Sequence, residues 1–150
     1  MMKKQVLFLC TGNSARSQLA EAIFNHMAGE LFHADSAGLH PSEVDERVFE
    51  VLQSHGMSGE GLRSKDYAEV EDNHYDFVIT LCDNAKDECV IFEQDIGQLH
   101  WNLTDPKPLD GIQPFQNTAK ELVERISLFL LLNSEENTSH VDPSSFFKLM

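Results

Sequence analysis

Apolar positions along the chain follow two rhythms. Short, nearly continuous apolar runs at Gln5 to Leu9 and Phe77 to Leu81 read as buried strands, with weaker strands at Leu31 to Ser36 and Gln98 to Leu103. Between them the spacing becomes helical. Leu19, Ala20, Ile23, Phe24 and Met27 share one face of a helix over Ser17 to Met27. Val44, Val48, Val51 and Leu52 do the same over Glu43 to His55, before Gly56 ends the run. The last helix spans Pro114 to Leu132, with proline suited to its first turn and a stripe formed by Leu122, Val123, Ile126, Phe129 and Leu130.

Strands alternating with helices imply a parallel sheet covered on both faces. The expected fold class is α/β: a single-domain, three-layer sandwich with a four-stranded parallel sheet. A chain of 150 residues has room for one such domain, placed here at residues 1–132, and none for a second. Residues 133–150, rich in Ser, Glu and Asn before Phe146-Phe147, read as a mobile tail.

Charge narrows the partners. A formal net charge of -14 repels phosphate backbones and acidic membranes, so neither nucleic acid nor membrane is expected, and an anionic substrate must be held by strong local donors. The apolar run from Val6 to Leu9 is too short for a signal-peptide core or a membrane span, which gives a cytoplasmic expectation. Three cysteines, Cys10, Cys82 and Cys89, are an odd set in a chain with no export signal, so reactive thiols are expected rather than a disulfide framework. The seven scattered histidines form no zinc pattern, and no metal or resident cofactor is expected.

In a doubly wound sheet, ligands bind beyond the carboxyl ends of the strands. Cys10 follows the first strand, Cys82 the third and Asp105 the fourth. The segment Cys10-Thr11-Gly12-Asn13-Ser14-Ala15-Arg16-Ser17 has the makings of an oxyanion-binding loop. Gly12 and Asn13 are expected to take unusual backbone angles, turning successive N–H groups inward at a helix N-terminus. Arg16 adds a planar fork for two substrate oxygens, and the nest with the Ser17 hydroxyl favours the Cys10 thiolate. Asp105, before Pro106, reads as a turn residue alone, but beside such a loop as a general acid.

Cys82 and Cys89 flank a polar segment free of Gly and Pro. In a helix they would lie about 10 Å apart along the axis, whereas a disulfide needs Cα atoms within about 7 Å. Pairing them would require the segment to unwind, which its polar composition makes inexpensive. Two unrelated buried thiols is the competing reading, and Cys10 tips the balance to a redox relay.

Taken together, Cys10 to Gln18, Ser36-Ala37-Gly38, Thr80-Leu81-Cys82, Cys89, and His100-Trp101 to Asp105-Pro106 resemble the thioredoxin-coupled arsenate reductases, which share the low-molecular-weight protein tyrosine phosphatase fold. The likeness runs from about Gln5 to Leu132. It implies that Cys10 attacks arsenate held by Arg16 and the loop amides, while Asp105 protonates the leaving oxygen. Cys82 then attacks the Cys10 sulfur to release arsenite, and Cys89 attacks Cys82, leaving a disulfide for thioredoxin. A monomer is expected. Some members of that family bind a monovalent cation at positions matched by Asn13, Glu21 and Ser36, but Lys65 stands where a further acidic ligand belongs, so that ion is not expected here.

Two other functions fit the same loop. One is a low-molecular-weight tyrosine phosphatase, working through a phosphocysteine on Cys10. Lys107 in place of an aromatic after Pro106, Gln18 in place of proline, and an idle Cys89 lean away from it. The other is a thiol-based oxyanion or redox sensor, which nothing in the sequence requires.

Overall fold

A computed structural model describes residues 3–81 and 97–133. Strands β1 (Lys4–Cys10), β2 (Phe32–Gly38), β3 (Phe77–Thr80) and β4 (Gly97–His100) form one sheet in the order β2-β1-β3-β4, with every neighbouring pair parallel. Helices α1 (Arg16–Ala28), α2 (Glu46–Ser54) and α3 (Gln113–Asn133) complete the described elements, with a single 3-10 turn at Tyr67–Glu69. The four-stranded parallel α/β sheet expected from the sequence is therefore present.

Burial explains the continuous apolar run of β1. Val6 and Phe8 point to one face of the sheet and Leu7 and Leu9 to the other, and all four are fully buried. Both faces of this central strand are covered, as a parallel sheet requires. On the Phe8 side the space between strands and helices is filled by aromatic rings: Phe8 meets Phe24 of α1 at 5.6 Å, and Phe129 of α3 meets Phe24, Phe32 and Phe77 at 5.7, 5.9 and 5.0 Å. Their tilted and edge-on geometries suit ring quadrupoles. Helix α1 packs on β1 and β2 and touches α2 and α3, which also touch each other.

Several boundaries differ from the sequence reading. Helix α2 begins at Glu46 rather than Glu43, because Asp45 is its N-cap and accepts a hydrogen bond from the Arg47 amide at 2.9 Å. Val44 therefore packs from the preceding segment. Strand β4 stops at His100 instead of Leu103, and β2 runs on to Gly38 because its pairing with β1 continues to the Cys10–Gly38 register. Asn133, expected to open the tail of residues 133–150, instead ends α3, and residues 134–150, like Cys82 and Cys89 with the segment between them, lie outside the described residues. Among the described residues, no helix is long and apolar enough to cross a membrane.

Candidate active site at the carboxyl edge of the sheet

Because all strands run the same way, Cys10, Gly38 and Thr80 end their strands on one edge, and the chain leaving β4 reaches Asp105 on the same side. The loop from Cys10 to Arg16 is held there by its carbonyls. Those of Cys10, Thr11, Gly12 and Ser14 accept from the amides of Leu39, His40, Ser42 and Asp45 at 3.2, 2.8, 2.9 and 2.9 Å, and that of Asn13 accepts from Gln18 Nε2 at 2.9 Å. Across a planar trans peptide the N–H points opposite to the C=O. Anchoring five consecutive carbonyls outward therefore turns the amides of residues 11 to 15 toward the loop's interior. The Asn13 amide illustrates it, donating to Cys10 Sγ at 3.2 Å.

Asn13 is the residue that makes this curvature possible. Its φ of 49° is the left-handed region, the one positive value at a non-glycine position among the described residues. Of the two residues that the sequence allowed unusual angles, Asn13 uses the left-handed region and Gly12 does not have positive φ. It is small because it is crowded, since a Cβ there would lie 3.2 Å from Ser14 Oγ and 3.4 Å from Ser42 Oγ.

The Asn13 side chain is fully engaged. Its Nδ2 donates to Ser17 Oγ at 2.8 Å and Ser36 Oγ at 2.9 Å, and its Oδ1 accepts from the Lys65 amide at 2.7 Å. Ser36 in turn donates to Glu21 Oε1 at 2.8 Å, and the same oxygen faces Lys65 Nζ at 3.4 Å. This buried chain ends at the nucleophile, where Ser17 Oγ lies 2.9 Å from Cys10 Sγ. When the sulfur is ionised it carries no hydrogen, so both Ser17 and the Asn13 amide donate to it. Two donors aimed at one sulfur favour the thiolate.

The Glu21 cluster also bears on the cation question raised by the sequence. The ammonium of Lys65, with a side chain only 12% exposed, already supplies the positive charge opposite Glu21. These residues do not fit an additional monovalent cation, and no step is routed through one.

Arg16 and Asp105 are brought together. The Arg16 side chain, 13% exposed, donates from Nη1 to the Leu103 carbonyl at 3.0 Å and places Nη2 3.8 Å from Asp105 Oδ2. Asp105 Oδ1 meanwhile accepts from the Lys107 amide at 3.0 Å, so the turn role and the site position belong to the same residue. Helix α1 has no side-chain cap, its N-cap being Ala15. Its N-terminal dipole therefore opens into the loop.

Four residues were given no role in the sequence reading of the site, although Gln18 and Gly38 lie within its motifs. Gly38 packs so tightly that a Cβ would lie 2.8 Å from the Thr11 carbonyl and 2.9 Å from Asn13 N. Gln18 bridges the loop to the Arg63 carbonyl at 2.9 Å. Asp45 and Arg47 link the loop to the segment after Asp105. An Asp-x-Arg at a helix start was the available signal, since the aspartate caps and the arginine can return to it. The thiols Cys82 and Cys89 cannot be placed relative to Cys10, as they fall outside the described residues.

Comparison with known proteins agrees with this geometry. The profile of the family described as low molecular weight phosphotyrosine protein phosphatase matches residues 5–138. An arsenate reductase of Staphylococcus xylosus is 33% identical over 135 residues, covering 87% of this chain and 99% of that protein. A solved low molecular weight protein tyrosine phosphatase from T. tengcongensis superposes with a TM-score of 0.75 at 28% identity, over 85% of this chain and 98% of the other. The thioredoxin-dependent arsenate reductase of Corynebacterium glutamicum superposes with a TM-score of 0.71 at 30% identity, over 85% of this chain and 60% of that one. With the family profile extending over most of its length, the chain belongs to the low molecular weight phosphotyrosine protein phosphatase family.

Proposed function

We propose that this chain is an arsenate reductase using Cys10 as nucleophile and thioredoxin as external reductant. The observation that carries the first step is the Cys10 sulfur with two donors aimed at it, at the base of a loop whose amides turn inward. A tetrahedral oxyanion in that loop presents its central atom to the thiolate, while the amides and Arg16 take up its charge.

Attack forms a Cys10 sulfur–arsenic bond, and one arsenate oxygen departs as water with the proton supplied by Asp105. Cys82 next attacks the Cys10 sulfur. A Cys10–Cys82 disulfide forms, the sulfur–arsenic pair of electrons goes to arsenic, and arsenic(V) leaves as arsenite. Cys89 attacks Cys82 and frees the Cys10 thiolate. The resulting Cys82–Cys89 disulfide takes two electrons from thioredoxin. Cys82 and Cys89 carry the choice of arsenate over a phosphate ester, because hydrolysis gives neither thiol a task. The named relatives from S. xylosus and C. glutamicum support that choice.

The phosphatase reading keeps one argument of its own. The same Cys10, Arg16 and Asp105 suffice for a phosphocysteine intermediate, and the T. tengcongensis neighbour is named as a phosphatase. Side activity on small aryl phosphates is accordingly part of the proposal. The test is arsenate turnover with thioredoxin, thioredoxin reductase and NADPH for the wild type, Cys10→Ser, Cys82→Ser and Cys89→Ser. All three substitutions should abolish the cycle. Normal turnover by Cys89→Ser, with rapid aryl phosphate hydrolysis by every variant except Cys10→Ser, would transfer the assignment to the phosphatase.

A further inference from the structure

We propose that Arg47 is a positioning residue for the general acid, fixing Asp105 over the Cys10 loop from the side opposite Arg16. This rests on the assignment of Asp105 as the acid and extends it to a residue of α2.

Asp105 lies between the buried Leu103 and the buried Pro106, but the stretch that follows has little of its own to hold it in place. Between β4 and α3 it forms no regular element, and from Lys107 to Gly111 every residue is exposed. Its own bonds are few: Lys107 N to Asp105 Oδ1 at 3.0 Å, Leu109 N to the Pro106 carbonyl at 3.1 Å, and a long contact from Lys107 Nζ to Ser42 Oγ at 3.5 Å. Such a segment would leave a carboxyl group wandering by more than the tolerance of a proton transfer.

Arg47 supplies what the segment lacks. Its Nη1 donates to the carbonyls of Leu109 at 2.6 Å and Gly111 at 3.1 Å, and its Nη2 to that of Lys107 at 3.1 Å. One guanidinium thus grips alternate carbonyls of the stretch directly after the acid. The fork is itself oriented: Nε and Nη2 donate to Asp45 Oδ1 and Oδ2 at 3.1 and 3.0 Å, and the Phe115 ring lies 4.2 Å beneath the guanidinium carbon. The hydrogen bond with Asp45 also raises the Arg47 pKa above its already high value, so the charge is permanent.

The far end of this clamp is the nucleophile loop, because the Asp45 amide donates to the Ser14 carbonyl at 2.9 Å. Upstream of the acid, Arg16 holds the Leu103 carbonyl at 3.0 Å. Asp105 therefore sits between two arginine anchors, at residue 103 and at residues 107 to 111, and both are referenced to the loop that binds the oxyanion. A planar fork with several donors performs this task, whereas a lysine has one point of attachment.

The experiment is a double-mutant cycle on arsenate turnover, repeated on phenyl phosphate hydrolysis because both reactions need the acid. It uses the full chain as wild type, Arg47→Met, Asp105→Asn and the double variant, with thermal unfolding of each followed by circular dichroism. Asp105→Asn should lower kcat about 100-fold. Arg47→Met should lower kcat about 10-fold or more with KM within about twofold, since the oxyanion loop keeps its own carbonyl anchors. In the Asp105→Asn background the same change should cost less than about twofold, because no acid remains to be positioned. Arg47→Lys should fall between, and it carries the test if Arg47→Met does not fold.

A kcat within twofold of wild type for Arg47→Met overturns the proposal, as does an equal loss with and without Asp105, which would mark a merely structural residue. If Asp105→Asn itself keeps wild-type kcat on both substrates, the acid assignment fails and Arg47 has nothing to position.

Discussion

Ser17→Ala is the substitution that asks most directly whether the loop activates Cys10. The change removes one oxygen from a fully buried site 2.9 Å from the sulfur, and Asn13 Nδ2 loses its 2.8 Å acceptor there while keeping its bond to Ser36 at 2.9 Å. The Asn13 amide remains as the other donor at 3.2 Å. A hydrogen bond to a charged acceptor contributes about 1.5–3 kcal/mol. At about 1.4 kcal/mol per pH unit, its loss moves the ionisation of Cys10 up by roughly one to two units. The assay is the pH dependence of iodoacetamide alkylation, measured in a Cys82→Ser, Cys89→Ser background so that Cys10 is the only thiol of the chain. Thiolate reacts and thiol does not, so the midpoint of the rate profile reports the ionisation. Ser36→Ala, two hydrogen bonds beyond Ser17 through Asn13, should move it less. A Ser17→Ala midpoint unchanged within about 0.3 units, or lowered, would refute the reasoning that Ser17 donates to the sulfur.

Other substitutions test the scaffold beneath the loop. Gly38→Ala places a methyl 2.8 to 2.9 Å from backbone atoms of Thr11 and Asn13, which cannot rotate away. Urea unfolding should register a loss of about 1–3 kcal/mol, and kcat/KM for arsenate should fall roughly 100-fold as the loop shifts; half of wild-type activity would disprove the close approach. Lys65→Met leaves the Glu21 carboxylate, 14% exposed, without its cation and should cost about 2–3 kcal/mol. Adding Glu21→Gln should recover much of that, and strict additivity of the two losses would count against the pair. For Asp45, the hydrogen bond from Arg47 holds the carboxyl below its ordinary value of 3.8. A depressed native value contributes stability above the unfolded carboxylate's titration and loses it as pH falls through the native one. Asp45→Asn, which keeps an N-cap oxygen, should therefore unfold in less urea than wild type at pH 7, and the gap should narrow as pH falls below the ordinary aspartate range; a gap that does not narrow on acidification would remove the charge from the explanation.

The parts of the site legible in the sequence are those whose chemistry is contiguous. Cys10, Asn13, Arg16 and Ser17 lie within one short segment, and its place between a buried run and a helical spacing already set it at a strand end. Asp105 was legible because position after a strand implies an edge of the sheet. Gly38 was not legible as a steric requirement, because the atoms it accommodates belong to Thr11 and Asn13, which reach it only through the β1–β2 register. For Arg47 the Asp-x-Arg spacing signals the link to Asp45 but not the grip on the acid segment. Its partners there are backbone carbonyls 60 or more residues away, and a carbonyl carries no sequence signal. Gly12 shows the converse error: a glycine in a tight loop invites a left-handed assignment, yet Asn13 takes that conformation and Gly12 answers to crowding. The start of α2 was misplaced because Val44 continues the apolar spacing past the residue where Asp45 ends the helix.

A chain with a net charge of -14 that binds an oxyanion must solve an opposition between long-range repulsion and local capture. The geometry solves it by spending donors inward and acceptors outward. Five consecutive loop carbonyls are satisfied by the protein itself, so the amides across those peptides converge without any anion present. The side-chain charges follow the same division. Glu21, the acidic group behind the loop, is faced by Lys65 and joined to Asn13 through Ser36. Asp105 is held near Arg16 by a segment whose carbonyls are taken up by two arginines. Among the described residues, Glu21 and Asp105 thus each have a cation of the chain's own beside them, and the inward amides, with Arg16, are the part of the field left to a substrate. Because those amides are oriented during folding, little reorganisation remains for the moment when charge moves from sulfur to the oxyanion.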